Sequence, residues 1–211
     1  MKTVLAYCYP QINRAIYDPA AYRFANSYRQ FKDAVEHRLV VISNGRPPDR
    51  LTEAPFKGVD CDWLTHDNSG KDLGAFARAA SGSPADLIIF LGAHVHLHRH
   101  GWLDRIVESY IEYGPGIYGA FAFHQPREHI RTTAWWTAPP IMNAYPLQPP
   151  PNHMRYECEH GANSYTRFAL SLGLPAYLVT FKGVYAVPQW RHVEQDEALV
   201  FDQHSDRLNY K

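Results

Sequence analysis

Hydrophobic and polar residues follow one another along the chain in two patterns, one typical of buried strands and one typical of amphipathic helices. Short runs of apolar and β-branched residues predict strands, and residues 87–91 are apolar throughout, as in a strand covered on both faces. Apolar residues spaced three and four apart predict helices. The predicted strands are 3–9, 39–43, 62–66, 87–91, 116–123 and 176–181, and the predicted helices are 20–37, 73–80, 102–113 and 164–172.

The order of these elements indicates the fold class. Strands that alternate with helices predict an α/β fold whose sheet is mostly parallel and is flanked by helices on both faces. A chain of 211 residues is expected to form a single domain over 1–211. Residues 139–151 contain six prolines and are expected to form a loop inside that domain, because patterned sequence resumes after them.

Charge and cysteine content narrow the class of protein. The 21 Lys and Arg balance the 21 Asp and Glu, which argues against a protein dedicated to nucleic-acid backbones or anionic membranes. No apolar run approaches the roughly 18 residues of a membrane span, and the apolar stretch at the start is too short for a signal peptide. Three cysteines lie far apart, which favours reduced thiols and predicts a cytoplasmic protein.

A run of histidines follows the most apolar predicted strand. Ligands of open α/β sheets bind beyond the carboxyl ends of the strands, which makes residues 92–100 a candidate site. In an extended chain His94, His96 and His98 would project to one side, where imidazoles bind a divalent metal or diphosphate oxygens. The alternative is a polar edge segment whose histidines are solvated.

Residues 66–76 form a second candidate segment. Asp72 is expected to cap the helix that follows, and Gly74 is expected to let that helix pack closely. This structural role leaves Asp67 and Asn68 unexplained. Because a helix N-terminus attracts phosphate, carboxylate and amide groups beside it also suit a ribose and phosphate pocket.

Two later segments concentrate chemically useful side chains. In residues 129–136, hydroxyl groups, a cation and indoles crowd together, and the candidates are His129, Thr132, Thr133, Trp135 and Trp136. Glu159 and His160 form a carboxylate–imidazole pair at the expected start of a helix, and both residue types serve as proton acceptors. A Glu at a helix start is also favourable with the helix dipole, and Glu157 is a competing carboxylate.

Taken in order, these segments resemble small bacterial and phage glycosyltransferases of the GT-A fold, including relatives of rhamnan-synthesis proteins. Residues 67–75 resemble an N-x-G-x-D-x-G-A signature, and residues 129–133 resemble an H-[IL]-x-[ST]-[TY] segment. Glu159-His160, followed by Arg167 and Gly173, is similar to the E-D…R…G block of inverting enzymes. The resemblance covers residues 3–190.

The resemblance implies transfer of a sugar from a nucleotide-sugar donor, such as a UDP-sugar, with inversion. Glu159 would be the base and His160 its orienting partner, and Trp135 and Trp136 would lie near the acceptor. The remaining substrate-binding candidates are Asp67, Asn68, Asp72, Gly74, His129, Thr132 and Thr133. The acceptor stays open among a polysaccharide, a protein, a lipid and a modified DNA base.

The sequence departs from the resembled family where the metal motif belongs. The Asp-x-Asp position reads Gly92-Ala93-His94, without a carboxylate. The expectation is therefore either a divalent metal, manganese rather than magnesium, held by His94 and His96, or no metal requirement. Two other functions stay open: a metal-dependent hydrolase that uses His94, His96 and His98, and an inactive nucleotide-sugar-binding module.

Overall fold

The computed structural model describes residues 1–147, 151–203 and 205, and its main element is an eight-stranded sheet. The strands are β1 (Thr3–Pro10), β2 (Arg38–Asn44), β3 (Asp62–His66), β4 (Leu87–Leu91), β5 (Ile117–Gly119), β6 (Ala122–Phe123), β7 (His129–Ile130), β8 (Ala134–Thr137), β9 (Ala176–Val179) and β10 (Val184–Ala186). The helices are α1 (Arg14–Gln30), α2 (Arg50–Glu53), α3 (Lys71–Ala80), α4 (Trp102–Tyr113), α5 (Pro139–Asn143), α6 (Arg155–His160) and α7 (Tyr165–Ser171), with 3-10 turns at Ala54–Phe56, Asn152–Met154 and Val187–His192.

The strand order of the sheet is β10-β9-β5-β8-β4-β1-β2-β3. Strand β1 pairs in parallel with both β2 and β4, β2 pairs in parallel with β3, and β5 pairs in parallel with β9. Strand β8 runs antiparallel between β4 and β5, and β10 is antiparallel to β9. Strands β6 and β7 form a separate two-stranded ribbon. The prediction of a mostly parallel α/β sheet is confirmed.

Strand β4 is central and buried, as its apolar sequence predicts. All five of its residues are at most 1% exposed. Leu87, Ile89 and Leu91 belong to one hydrophobic cluster, whereas Ile88 and Phe90 belong to the other. Because successive side chains of a strand point to opposite faces, a strand that contributes to two clusters must be covered on both faces.

Helices cover both faces of the sheet. Phe24 of α1 and Trp102 of α4 pack in the cluster on one face, and the Tyr7 ring of β1 stacks on Phe24 with centroids 3.9 Å apart. Phe76 of α3 packs in the other cluster, with its ring centroid 5.1 Å from that of Phe90. Among the described residues, no helix is long and apolar enough to cross a membrane.

Several predicted boundaries are wrong. Helix α1 begins at residue 14 rather than 20 and ends at residue 30 rather than 37. Pro19 lies inside it, past the first turn, where the missing backbone N–H removes the helical hydrogen bond to the carbonyl four residues before. Residues 116–123 are divided between β5 and β6, which belong to different sheets. The expected loop at 139–151 begins with helix α5, and residues 148–150 lie outside the described part of the chain.

The early end of α1 frees Asp33 to cap a different helix. Its carboxylate accepts hydrogen bonds from the backbone N–H groups of Gly101 and Leu103, both at 2.8 Å. These N–H groups belong to the first turn of α4, where no intrahelical acceptor exists. Asp33 is 9% exposed, so its carboxylate joins the loop after α1 to the start of α4 in a largely buried setting.

We expect Asp33→Ala to lower the free energy of unfolding by about 2 kcal/mol, because two helical N–H groups lose their acceptor. Urea unfolding followed by circular dichroism measures the change. Glu36→Ala is the matched control, since Glu36 is exposed in the same loop, and it should change stability by less than about 0.5 kcal/mol. Equal losses in the two variants would contradict the capping role.

Candidate functional site

A cavity of about 290 Å³ opens beyond the carboxyl ends of β1, β2 and β4. Pro10 and Asn44 are the last residues of β1 and β2, and Gly92 directly follows β4. The other polar groups that line the cavity are Asn68, Lys71, Asp72, His94, Arg131, Thr133, Arg155, Asp202 and Gln203. The carboxyl end of a parallel sheet is the usual ligand position in α/β folds, so this cavity is the candidate active site.

A larger groove of about 720 Å³ lies at the opposite end of the sheet. It is lined by residues at the start of β1 and β2, such as Thr3 and Arg38, and by the end of α3. Its volume alone does not make it the functional site, because strand ends at that edge are not where α/β folds collect ligand-binding loops.

The loop that leads into α3 has an unusual backbone at the cavity wall. Asn68 and Lys71 have positive φ angles of 71° and 54°, and Gly70 between them has a φ of 67°. A side chain disfavours this region, so each non-glycine residue there costs of order 1–3 kcal/mol unless its surroundings fix it. Helix α3 consequently begins at Lys71 with Gly70 as its N-cap, and the expectation that Asp72 caps the helix is wrong.

Asn44 fixes this loop. Its side-chain amide donates to the Asn68 side-chain oxygen at 2.9 Å and to the Lys71 carbonyl at 3.2 Å. Its own oxygen lies 2.8 Å from Nδ1 of His66, and the Asn68 backbone N–H lies 3.2 Å from the same nitrogen. Burial lowers the pKa of His66, which favours the neutral imidazole. The carboxamide therefore joins the ends of β2 and β3 to the start of α3.

Asp72 lies in the first turn of α3 and faces Arg155 of α6. The distance from Asp72 Oδ2 to Arg155 Nη2 is 3.0 Å, and the aspartate side chain is 18% exposed. The other oxygen, Oδ1, is buried and has no hydrogen-bond partner among the described residues. Burial raises the pKa of Asp72, Arg155 opposes this rise, and the nearby negative charge of Glu159 adds to it.

A second ion pair lies on the other side of the cavity. Arg131 Nη1 lies 3.1 Å from Asp202 Oδ2, and the Asp202 side chain is only 1% exposed. The guanidinium also lies over the rings of Phe121 and Phe123, 5.7 and 5.8 Å from their centroids. The arginine is therefore held in place from two directions, by a buried carboxylate and by aromatic faces.

Three cations thus surround the cavity: Lys71, Arg131 and Arg155. The two arginines are paired with Asp202 and Asp72. Among the described residues, no carboxylate lies within salt-bridge distance of Lys71. An anionic ligand can therefore meet one unpaired ammonium and two oriented guanidinium groups, which is an arrangement suited to phosphate oxygens.

The histidine run does not form the expected cluster. The Val95 N–H bonds to the Gly92 carbonyl at 3.0 Å, so the chain turns where an extended strand was expected. His94 lines the cavity, whereas His98 stacks on Phe201 with ring centroids 3.8 Å apart. His96 pairs with Phe201 through backbone hydrogen bonds. The expectation that these imidazoles converge is therefore wrong.

A divalent metal at the cavity would need His, Cys, Asp or Glu side chains as ligands. Within the described residues, no group of three or more His, Cys, Asp or Glu side chains is arranged to hold a metal ion. Asp72 and Asp202, the two carboxylates on the cavity, are each engaged by an arginine. A metal centre built on His94 and His96 does not fit these residues, since only His94 reaches the cavity.

Glu159 and Glu157 have different surroundings on α6. Glu157 accepts hydrogen bonds from the backbone N–H and the side-chain amide of Asn163, at 2.7 and 3.1 Å. Glu159 accepts one hydrogen bond, from the Thr132 backbone N–H at 3.2 Å. It lies four residues after Arg155, on the same helix face, and Arg155 lines the cavity. Glu159 does not itself line the cavity, but it shares a helix face with Arg155 and its charge acts on Asp72.

Glu159 and His160 lie at the end of α6 rather than at the start of a helix, which corrects the expected position. Gly161 directly follows this helix. A side chain there would collide with the carboxylate of Glu157, so the glycine serves local packing rather than close approach of a substrate.

His160 does not bond to Glu159. Its ring contacts Tyr156 and His129 edge-on, at 3.9 and 4.9 Å between centroids. His129 is buried, and its Nδ1 lies 2.7 Å from the Arg127 carbonyl. Burial lowers the pKa of His129, and the neighbouring His160 lowers it further. These two imidazoles pack against each other between β7 and α6.

The remaining predicted residues are divided between the cavity, its support and the core. Asn68, Asp72 and Thr133 line the cavity. Thr132 lies between β7 and β8, and its backbone N–H donates a hydrogen bond to the Glu159 carboxylate. Asp67 does not line the cavity: its side chain is 79% exposed and accepts hydrogen bonds from Ser69. It serves the turn before α3.

Trp135 and Trp136 are core residues, and the expectation that they lie near the acceptor is wrong. Both lie in β8, in the middle of the sheet, and each is 1% exposed. They belong to the two different hydrophobic clusters, because adjacent strand residues face opposite sides. Neither indole can therefore stack on an acceptor from this position.

Several polar residues of the cavity do not stand out in the sequence patterns: Asn44, Lys71, Arg131, Arg155, Asp202 and Gln203. Arg131 appears in those patterns only as the cation of the segment 129–136. The one available signal was position, since Asn44 ends a parallel strand and Arg131 lies inside the segment 129–133. Arg155 and Asp202 follow no spacing that would have revealed them.

Gly74 lies in α3 where the helix passes the preceding loop. A Cβ atom at this position would overlap the carbonyl oxygen of Ser69. The glycine thus permits the close approach that the sequence predicts, and its role is to hold α3 against the loop rather than to contact a ligand in the cavity.

We expect Gly74→Ala to destabilise the protein by about 2 kcal/mol, because the backbone must shift to admit the methyl group. Elsewhere in a helix the same substitution stabilises by about 1 kcal/mol, so the sign of the effect is diagnostic. Urea unfolding measures it. Ala79→Gly in the same helix is the control and should cost about 1 kcal/mol by helix propensity alone. A more stable Gly74→Ala variant would contradict the packing role.

No protein-family model and no curated protein matches this sequence. Among solved structures, it is similar to CMP:2-keto-3-deoxy-manno-octonic acid synthetase complexed with CTP, with a TM-score of 0.56 and 9% identity over 83% of this chain and 88% of that one. It is also similar to apo mouse xyloside xylosyltransferase 1, with a TM-score of 0.51 and 10% identity over 82% of each chain. At these identities the similarity concerns the fold, and the expected GT-A-like architecture is confirmed.

Proposed function

We propose that the protein is a glycosyltransferase that moves a sugar from a nucleotide-sugar donor to an acceptor. The observation that carries this proposal is the cavity at the carboxyl ends of β1, β2 and β4, lined by Lys71, Arg131 and Arg155. The fold similarity to a CTP-bound synthetase and to a xylosyltransferase supports the same class of substrate. The three free cysteines support the cytoplasmic location, and we keep 1–211 as one catalytic domain.

The cations of the cavity suit the diphosphate of the donor. A glycosyl transfer releases a nucleoside diphosphate, so negative charge develops on the leaving oxygen in the transition state. Guanidinium groups that are oriented in advance stabilise this charge without further reorganisation. Arg131 and Arg155 are oriented by Asp202 and Asp72, and Lys71 adds a third positive charge. Asn68 and Asp72 are the groups proposed to contact the rest of the donor.

Glu159 is proposed as the base. It would take the proton of the acceptor hydroxyl while the hydroxyl oxygen bonds to the anomeric carbon. The bond from that carbon to the diphosphate oxygen breaks, and the diphosphate leaves with the electron pair. Attack opposite the leaving group inverts the anomeric configuration. His160 and His129 are proposed to support Glu159 by packing, since neither bonds to its carboxylate among the described contacts.

The proposed mechanism contains no step through a metal, since within the described residues no group of three or more His, Cys, Asp or Glu side chains is arranged to hold one. The effect of manganese is instead a variable of the binding experiment. The hydrolase alternative is weakened by the stacking of His98 on Phe201, which withdraws one of its three ligands. An inactive binding module would keep donor affinity and lack turnover.

Donor binding is tested by calorimetry with UDP-, GDP-, TDP- and CMP-linked sugars, each with manganese, with magnesium and with EDTA. We expect one nucleotide sugar to bind, and we expect release of its nucleotide when a suitable acceptor is added: the nucleoside diphosphate from a UDP-, GDP- or TDP-sugar, or CMP from a CMP-sugar. Binding without any release would indicate a binding module. Binding of none of the four classes would contradict the proposal.

We expect Glu159→Gln to lower the transfer rate by about a hundredfold to ten-thousandfold, because the amide keeps the hydrogen bond from Thr132 and cannot accept a proton. Glu157→Gln is the matched control on the same helix and should leave the rate nearly unchanged, since its amide oxygen still accepts from Asn163. Single-turnover kinetics with saturating donor measures both. A Glu159→Gln variant that transfers at the wild-type rate would exclude this base.

We also expect donor binding to be linked to uptake of a proton by Asp72. A bound phosphate competes for Arg155, whose charge is the main effect opposing the rise in the pKa of Asp72 caused by burial and by Glu159. Binding then raises this pKa, so donor affinity should decrease as the pH rises through the pKa of the bound state. Calorimetry in buffers of different ionisation enthalpy measures the uptake. Asp72→Asn should abolish it, and uptake that persists in this variant would assign the proton elsewhere.

A further inference from the structure

The histidine run contacts the segment 197–203, which we call the C-terminal strap. Phe201 pairs with His96 through two backbone hydrogen bonds of 2.9 Å, one in each direction. At its other end the strap is fixed where the Phe181 N–H donates to the Glu197 carbonyl at 2.9 Å. The strap therefore lies across the turn that follows β4, beside the cavity.

His98 clamps this strap with its side chain. Its ring is stacked on the Phe201 ring, with centroids 3.8 Å apart and planes 6° from parallel. Its Nε2 donates to the Ala198 carbonyl at 2.8 Å. The edge of the imidazole meets Phe181 at 5.9 Å between centroids, so the ring is held between the strap and the end of the sheet. Both contacts depend on the side chain of His98, unlike the backbone pairing of His96.

The strap carries polar groups into the cavity. Asp202 and Gln203 line it, and Asp202 directly follows the clamped Phe201. Asp202 holds Arg131 at 3.1 Å, and its backbone N–H donates to Ser205 Oγ at 2.7 Å. The position of the buried carboxylate, and through it the direction of Arg131, therefore follows from where Phe201 is held.

We propose that His98 is a positioning residue for the candidate active site. By clamping Phe201, it holds the C-terminal strap as one wall of the cavity and orients Arg131 through Asp202. His98 itself does not line the cavity, so it acts on a ligand only through the strap. The effect on the ligand rests on the proposed function, namely that this cavity binds the diphosphate of a nucleotide.

Two kinds of variant distinguish loss of the contact between His98 and Phe201 from a general loss of stability. His98→Ala and Phe201→Ala each remove one partner of the stacked pair, and His98→Phe keeps an aromatic ring at the same place. His37→Ala is the matched control at the far end of the sheet. His37 is a half-buried histidine bonded to the Tyr28 hydroxyl at 2.6 Å, so its removal also costs stability.

The first measurement needs no ligand. Hydrogen–deuterium exchange, followed by mass spectrometry, reports on the Phe201 amide, which is bonded to the His96 carbonyl. We expect its exchange to accelerate by on the order of tenfold in His98→Ala and Phe201→Ala, because an aromatic stack and a hydrogen bond are lost. His98→Phe should retain most of the protection, and His37→Ala should not change it. Unchanged protection in both alanine variants would overturn the clamp.

The second measurement is the affinity of the same variants for UDP, GDP, TDP and CMP by calorimetry, well below their unfolding temperatures. We expect His98→Ala and Phe201→Ala to weaken binding by about tenfold, with the double variant little worse than either single one. His98→Phe should restore affinity, and His37→Ala should bind like the wild type. Faster exchange with unchanged affinity would overturn the positioning role. A wild-type protein that binds none of these four nucleotides or their sugars would instead refute the proposed function, and the exchange data would still decide the clamp.

Discussion

Parallel pairing of β1 with β2 on one side and β4 on the other brings three strand ends to the same edge of the sheet. Asn44, the last residue of β2, uses this position to bond the loop before α3. That loop has positive φ angles at Asn68 and Lys71, which isolated peptides disfavour. The carboxamide therefore stabilises a backbone that the local sequence would not adopt, and this backbone places Asp72 on the cavity.

The elements that the sequence predicts correctly are those whose burial leaves a local pattern. The observed bounds of β3, β4 and α4 coincide with the predicted ranges 62–66, 87–91 and 102–113. The end of α1 could not be found in this way, because Asp33 bonds to N–H groups 68 and 70 residues away. Strand β8 was missed for a related reason: it has four residues and gains its place by pairing with β4 and β5.

The residues of the candidate site fall into the same two groups: those that a local pattern indicates and those that only long-range contacts bring together. A strand followed by polar residues and glycines marked the loop before α3, because helix entries have a recognisable local chemistry. Arg155 and Asp202 come to the cavity from α6 and from the C-terminal strap, so no spacing in the sequence connects them. The histidine run shows the opposite error. Its alternation indicates one common face only if the chain is extended, and the hydrogen bond from Val95 to Gly92 makes it turn.

The two ion pairs affect which anions the cavity can bind favourably. A lone buried arginine would attract any anion, but each guanidinium here already has a carboxylate about 3 Å away. A small monoanion that replaced one carboxylate would gain little, because it would leave that carboxylate buried without its partner. A diphosphate offers several oxygens to the three cations that line the cavity, so its several contacts can outweigh the partial loss of either pair. The carboxylates that reduce the net positive charge of the cavity would thus favour a diphosphate over simpler anions.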